Sequence, residues 1–126
     1  MTNAQFKALY ERAVEAGQKA GIAASPVPMV VGSPTTPLGN DLDPNKQQYF
    51  VADGVCGFAW VQIKGNTAFA RWAKKNTKFD KGYPSGLSYW VSEFNQSMQR
   101  KEAFARAMSR VLKEGGVEAY PMSRMD

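Results

Sequence analysis

The sequence predicts an α+β domain, a mixed sheet of four to five strands with helices packed mainly on one face. Three observations carry that expectation. Two stretches near the chain ends repeat apolar residues at helical spacing, while the middle breaks into short apolar runs punctuated by Gly, Pro and Asp. The third is size: 126 residues with 44% hydrophobic and 21% charged side chains can build one core but not two. Residues 1–126 are therefore expected to form a single domain.

The first helix is marked by Phe6, Leu9, Tyr10, Ala13, Val14 and Gly17 at i, i+3, i+4 spacing. Thr2 or Asn3 can cap it, Gly21 can end it, and Gly17 with Ala20 leaves room for a close neighbour. Residues 26–31 read as an edge strand, since prolines 26 and 28 cannot donate to a central ladder. Residues 32–46 then form a long loop, a length usually associated with function or disorder. Residues 47–52 and 55–63 are expected to be a hairpin joined at Asp53-Gly54, a dipeptide suited to a type I′ turn. The second of these strands is apolar on both faces, which places it at the sheet centre.

Asn66 or Thr67 can cap a short helix that turns Phe69, Trp72 and Ala73 inward and Arg71, Lys74, Lys75 and Lys78 outward. Residues 77–86 have turn composition, and residues 87–91 alternate as a strand. A helix over about 97–114 buries Phe104, Met108, Val111 and Leu112, with Arg106, Arg110 and Lys113 along its outer face. Gly115-Gly116 stops it, and residues 117–120 read as the last strand.

Composition excludes whole classes of chemistry. The chain has no histidine and one cysteine, so it has no Ser-His-Asp or Cys-His activation, no imidazole zinc site and no internal disulfide. Any metal would be a hard cation held by oxygen ligands. No cofactor is expected, because no Gly-rich phosphate loop of the Walker or Rossmann type occurs. No apolar run is long enough for a membrane span and the chain opens on a polar segment, so the expected location is the cytoplasm. The net charge of +5 is unevenly spread: residues 64–113 hold eleven basic and three acidic side chains, net +8. Such a block either meets a polyanion or is a solvated surface.

Carboxylates are weaker candidates. Residues 40–45 place Asp41 and Asp43 as a calcium loop would, but Lys46 stands where the turn glycine belongs and Ala52 where the bidentate glutamate belongs. An Asx-rich turn is the simpler reading. Asp41 with Asp43, or Asp53 with Glu93, could do acid-base work only if the fold brought them together. Cys56, among apolar strand residues, is expected in the core.

The pattern with most chemical content is Cys56-Gly57-Phe58-Ala59-Trp60-Val61-Gln62-Ile63. It resembles the RNP1 octamer of RNA-recognition-motif domains: basic, Gly, aromatic, Gly or Ala, aromatic, Val, any residue, aromatic. Cys56 replaces the basic residue, Trp60 the usual Phe and Ile63 the last aromatic. The resemblance implies that Phe58 and Trp60 stack bases on an open sheet face. A strand buried on both faces gives the same alternation of small and large apolar residues, and that is the more economical reading. Between Trp60 and Arg110 aromatics and cations interleave, the combination single-strand binding needs.

Over most of its length the chain also resembles a family of small tailed-phage proteins of uncharacterised function. The runs that carry this are Pro28-Met29-Val30-Val31-Gly32, Gly39 to Lys46, Val51 to Val61, Phe94-Asn95-Gln96-Ser97-Met98 and Ser123-Arg124-Met125-Asp126. It implies a phage accessory role in the host cell and brings no catalytic residues.

The leading expectation is a non-enzymatic protein that binds single-stranded DNA or RNA through Phe58, Trp60, Arg71, Lys74, Lys75, Trp90, Arg106 and Arg110. One alternative is an inhibitor of a host or defence protein acting through the proline-rich loop, with a host or phage protein as partner. Another is a magnesium-dependent phosphotransferase or hydrolase using Asp41, Asp43 and Asp53. No membrane partner is expected.

Overall fold

Helix formation starts at Thr2 in a computed structural model that describes residues 1–26, 29–31, 49–51, 54–95 and 97–126, the backbone alone for 29–31 and 49–51. Thr2 Oγ1 accepts from the Gln5 N–H at 3.2 Å and the Gln5 side chain accepts from the Thr2 N–H at 2.8 Å, a complete capping box for α1, Asn3–Ala23. Thr67 caps α2, Ala68–Asn76, and Ser97 caps α3, Met98–Glu114, each through its hydroxyl. These are the expected helices, with one correction. Gly21 lies inside α1 rather than beyond its end, because the helix continues to Ala23.

Its role there is contact. A Cβ on Gly21 would fall 2.2 Å from the Phe94 ring, and one on Gly17 2.8 Å from the Phe104 ring. Two aromatic rings therefore seat directly on the α1 backbone and hold α1 against α3. Phe94 reaches its seat from a left-handed backbone, with φ 67° there and 51° at Asn95, a conformation that costs energy in non-glycine residues.

The strands are β1 (Met29–Val31), β2 (Tyr49–Val51), β3 (Gly57–Ile63), β4 (Asp80–Lys81), β5 (Leu87–Trp90) and β6 (Ala119–Met125). The α+β class holds: a four-stranded sheet of order β4-β5-β3-β6 carries the helices on one face. Every ladder in it is antiparallel, so the pairing is not mixed. The hairpin expected at Asp53-Gly54 does not form. β2 pairs with β1 in a separate two-stranded sheet, with Val51 opposite Met29, while both edges of β3 are taken by β5 and β6. A local turn signal lost to a seven-residue ladder with the chain's last strand. The long loop over 32–46, its Asx-rich segment and Asp53 lie outside the described residues.

β6 runs well past Tyr120, where the last strand was expected to end, and passes through Pro121. The Asp126 N–H donates to the Cys56 carbonyl at 3.2 Å, which sets the phase of the ladder: residues 120, 122 and 124 turn their backbone groups toward β3, and 119, 121, 123 and 125 turn theirs away. Pro121 thus has its donor-less nitrogen on the open edge, where it breaks no ladder bond. Cys56, expected in the core, is exposed, because it precedes β3 and bridges to Ser97 rather than lying under the helices.

Along β3 burial alternates strictly. Ala59, Val61 and Ile63 are buried under the helical layer; Phe58, Trp60 and Gln62 are half-buried on the other face. Leu87, Tyr89 and Ala119 join the inner face, against Phe6, Leu9, Ala13, Phe69, Phe79, Phe104, Met108 and Leu112. Tyr89 stacks on Phe104 with centroids 5.8 Å apart.

Candidate functional site

The outer face of the sheet is a row structure dictated by register. Trp90, Trp60 and Met122 stand side by side on β5, β3 and β6; Phe58 and Arg124 form the next row, and Ser88, Gln62 and Tyr120 the row on the other side. No described helix covers them. The more economical expectation, a central strand buried on both faces, is therefore wrong for β3, and its physical reason is simple: all three helices pack into one core on the inner face.

The Val91 N–H donates to the Ala59 carbonyl, so Trp60 and Trp90 occupy a non-hydrogen-bonded pair, the site where facing Cα atoms approach most closely. Their indoles stack at 4.8 Å with 26° between planes, and Phe58 meets Trp90 edge-on at 5.9 Å. Trp90 remains 45% exposed. Two cations reach the far end of this aromatic row: the Arg124 guanidinium lies 5.4 Å from the Phe58 ring centre and Lys101 Nζ 5.8 Å, both within cation–π range.

At the opposite end the row opens into a groove of about 610 Å³. Its floor is Gln62, with Trp60 closing one end and Lys64 and Asn66 the other. One wall is the loop joining β4 to β5, with Tyr83 89% exposed; the other is β6, with Tyr120 and Met122. Gln62 Nε2 donates to the Ser85 carbonyl at 3.1 Å, which fixes the carboxamide against the first wall. Tyr120 is fixed too. Its hydroxyl donates to Glu118, whose carboxylate also pairs with Lys64 at 2.9 Å, and Lys113 Nζ lies 5.2 Å from its ring centre. The Tyr120 hydroxyl and Lys64 hold the Glu118 carboxyl below the usual carboxylate range, while Glu118 raises Tyr120 and Lys64 above theirs.

Of the eight residues expected to form a site, the structure brings together Phe58, Trp60 and Trp90. Arg71, Lys74 and Lys75 are exposed on α2, whose Phe69, Ala70 and Ala73 enter the core on the inner face, so these cations project from the helical side. Arg106 and Arg110 are exposed on α3. Arg106, 4.0 Å from Glu102, borders a small hollow with Met122 and Ser123 at the β6 edge. Gln62 and Tyr120 lay on expected strands but were not read as site residues, and Met122 and Arg124 were missed because the last strand was ended at Tyr120; the alternation of Tyr120, Met122 and Arg124 was the available signal.

Of the pair Asp53 and Glu93, Asp53 lies outside the described residues. Glu93 accepts from the Tyr89 hydroxyl at 3.2 Å and faces Lys78 at 3.7 Å. Burial first, and then the Glu93 charge, raise the Tyr89 phenol far above its ordinary value. Asp41 and Asp43 lie outside the described residues, and among the described residues no cluster of carboxylates and cysteine could hold a metal ion. No described helix is long and apolar enough to cross a membrane.

No family model, no curated protein and no solved structure matches the chain.

Proposed function

We propose that this protein is a non-enzymatic binder of single-stranded nucleic acid, and that its binding surface is the outer face of the sheet. The observation that carries the reading is the row Phe58, Trp90, Trp60, which no described helix covers, with two indoles stacked on one another and cations at one end. Stacking on such rings contributes about 1–3 kcal/mol per base and tolerates any base, because every base has a π-face. Arg124 and, around the β6 edge, Arg106 are placed to meet phosphates of a strand lying on these rings, while the buried Lys101 supports Phe58 from behind. The cations of α2 sit too far round the molecule to share that strand and act as general positive field. The resemblance to small tailed-phage proteins supports an accessory role in the host cytoplasm.

Fluorescence anisotropy with labelled single-stranded DNA, duplex DNA and RNA, at several salt concentrations, tests this. The expected result is preference for single strands, affinity falling steeply with salt, and quenching of tryptophan emission. Absence of binding at low salt would remove the proposal.

A second reading has one observation in its favour: Met122 is 41% exposed beside Trp60 on the outer face, and an adaptable methionine suits a protein partner. Under that reading a host protein is retained on the immobilised chain and stays bound at high salt.

A further inference from the structure

We propose that the groove at the end of the aromatic row is a pocket for one nucleobase of the bound strand, taken edge-first between Tyr83 and Tyr120 with Gln62 at its floor. This rests on the single-strand reading and adds to it a position at which the strand is read rather than merely held.

The argument begins with what a base requires. A flat heterocycle with polar edges is bound by aromatic surface along its faces and by in-plane hydrogen-bonding groups at its edge. Trp60, Tyr83 and Tyr120 supply the rings, and the Gln62 carboxamide supplies the edge group. Two of these parts are held before any ligand arrives. Gln62 is anchored through Nε2 to the Ser85 carbonyl, which leaves Oε1 to accept from a base. Tyr120, on an exposed strand, would otherwise rotate freely; its hydroxyl is tied to Glu118, which Lys64 pins in turn. Groups fixed in advance lose less entropy on binding.

Continuity identifies the occupant. Trp60 belongs both to the stacked pair and to the groove, so a strand whose bases lie on Phe58 and Trp90 reaches the groove without a break. A cavity of about 610 Å³ accommodates a base with its sugar. The cation Arg124 stands at the Phe58 end of the path, where it matches a phosphate, while Lys64 at the groove end is held by Glu118.

The test uses the full chain and a set of labelled single-stranded oligonucleotides, each with one abasic position moved along the strand. An intact strand should bind best, and affinity should fall by about tenfold or more when the abasic site reaches one particular position. Gln62→Ala and Tyr120→Ala should erase that position effect, and should leave affinity for the strand carrying that gap unchanged. Trp90→Ala, which lies outside the groove, should weaken every strand alike. Circular dichroism of each variant checks that it is folded, and quenching of the wild-type chain by adenosine 5′-monophosphate provides a readout independent of strand length. If every abasic position is tolerated equally while Trp90→Ala still weakens binding, the pocket is overturned and the platform stands. If the wild-type chain binds neither oligonucleotides nor the mononucleotide, both are overturned.

Discussion

On the inner face of β3, Ala59, Val61 and Ile63 are closed over by three helices; on its outer face, Phe58 and Trp60 stand beside Trp90 with no described helix above them. The two faces are made by alternate residues of one strand and both carry large apolar side chains, so composition alone does not separate Phe58 and Trp60 from the core. Their neighbours do. Inner rings such as Tyr89 and Phe104 pack in a continuous core, whereas outer rings pack chiefly on each other. The comparison gives them different roles: the inner face holds the fold, and the outer face is where the proposal places binding.

The sharpest way to break that division is to exchange effects across it. Phe104 is fully buried, stacks on Tyr89 and seats on Gly17. Phe104→Ala should cost about 3–5 kcal/mol of stability, and urea unfolding followed by circular dichroism measures it. Trp90→Ala removes a ring of comparable size from the outer face. Cross-strand aromatic pairs contribute about 0.2–1 kcal/mol, so the expected stability loss stays near 1 kcal/mol while single-strand affinity drops by about tenfold or more. A Trp90→Ala chain as unstable as Phe104→Ala would show that the outer rings are structural.

A smaller effect separates the cations of the two sides. Arg124→Glu, beside Phe58, should lower the steepness of the salt dependence by about one phosphate contact. Reversal at Lys74 and Lys75 on α2 should weaken binding through the general field alone and leave that slope near its original value. If the α2 reversal flattens the slope and Arg124→Glu does not, the strand runs over the helices and the outer face is not the site.

Much of this division was legible in the residues. The helices, the caps Thr2 and Thr67 among their candidates, and the inner positions of α3 follow from local spacing and hydroxyl chemistry, which act within a few residues. The partners of β3 did not follow, because Asp53-Gly54 advertises a local hairpin while the ladder with β6 depends on residues some sixty positions away. The part of β6 beyond Tyr120, five of its seven residues, was missed for a related reason: a proline at 121 fits a strand only where its nitrogen faces an open edge, and only the ladder's phase reveals that. With β6 cut short, Met122 and Arg124 could not be assigned to the face that Phe58 and Trp60 occupy, and the groove had only one wall.

The smallest expected effect concerns that groove wall and its pH dependence. Glu118 has its carboxyl lowered by the Tyr120 hydroxyl and by Lys64, so the folded state favours its ionised form. Whatever it contributes is present above the ordinary carboxylate value of about 4.3 and is lost as pH falls through its lowered value. Tyr120 and Lys64 are both raised, so the folded state favours their protonated forms. Their share is present below about 10 and is lost as pH rises through their raised values. Near neutrality all three links are intact, and Tyr120 is held in place across that whole range. All three groups are exposed to solvent, so the change in global stability should be slight. The effect belongs instead to the ring. Carboxyl titration by NMR should show Glu118 below the ordinary range in the wild-type chain and returned to it in Tyr120→Phe, which lacks the donating hydroxyl. A Glu118 that titrates identically in both chains would mean that Tyr120 is not anchored, and the groove would then have a mobile wall where the inner face of the same sheet has none.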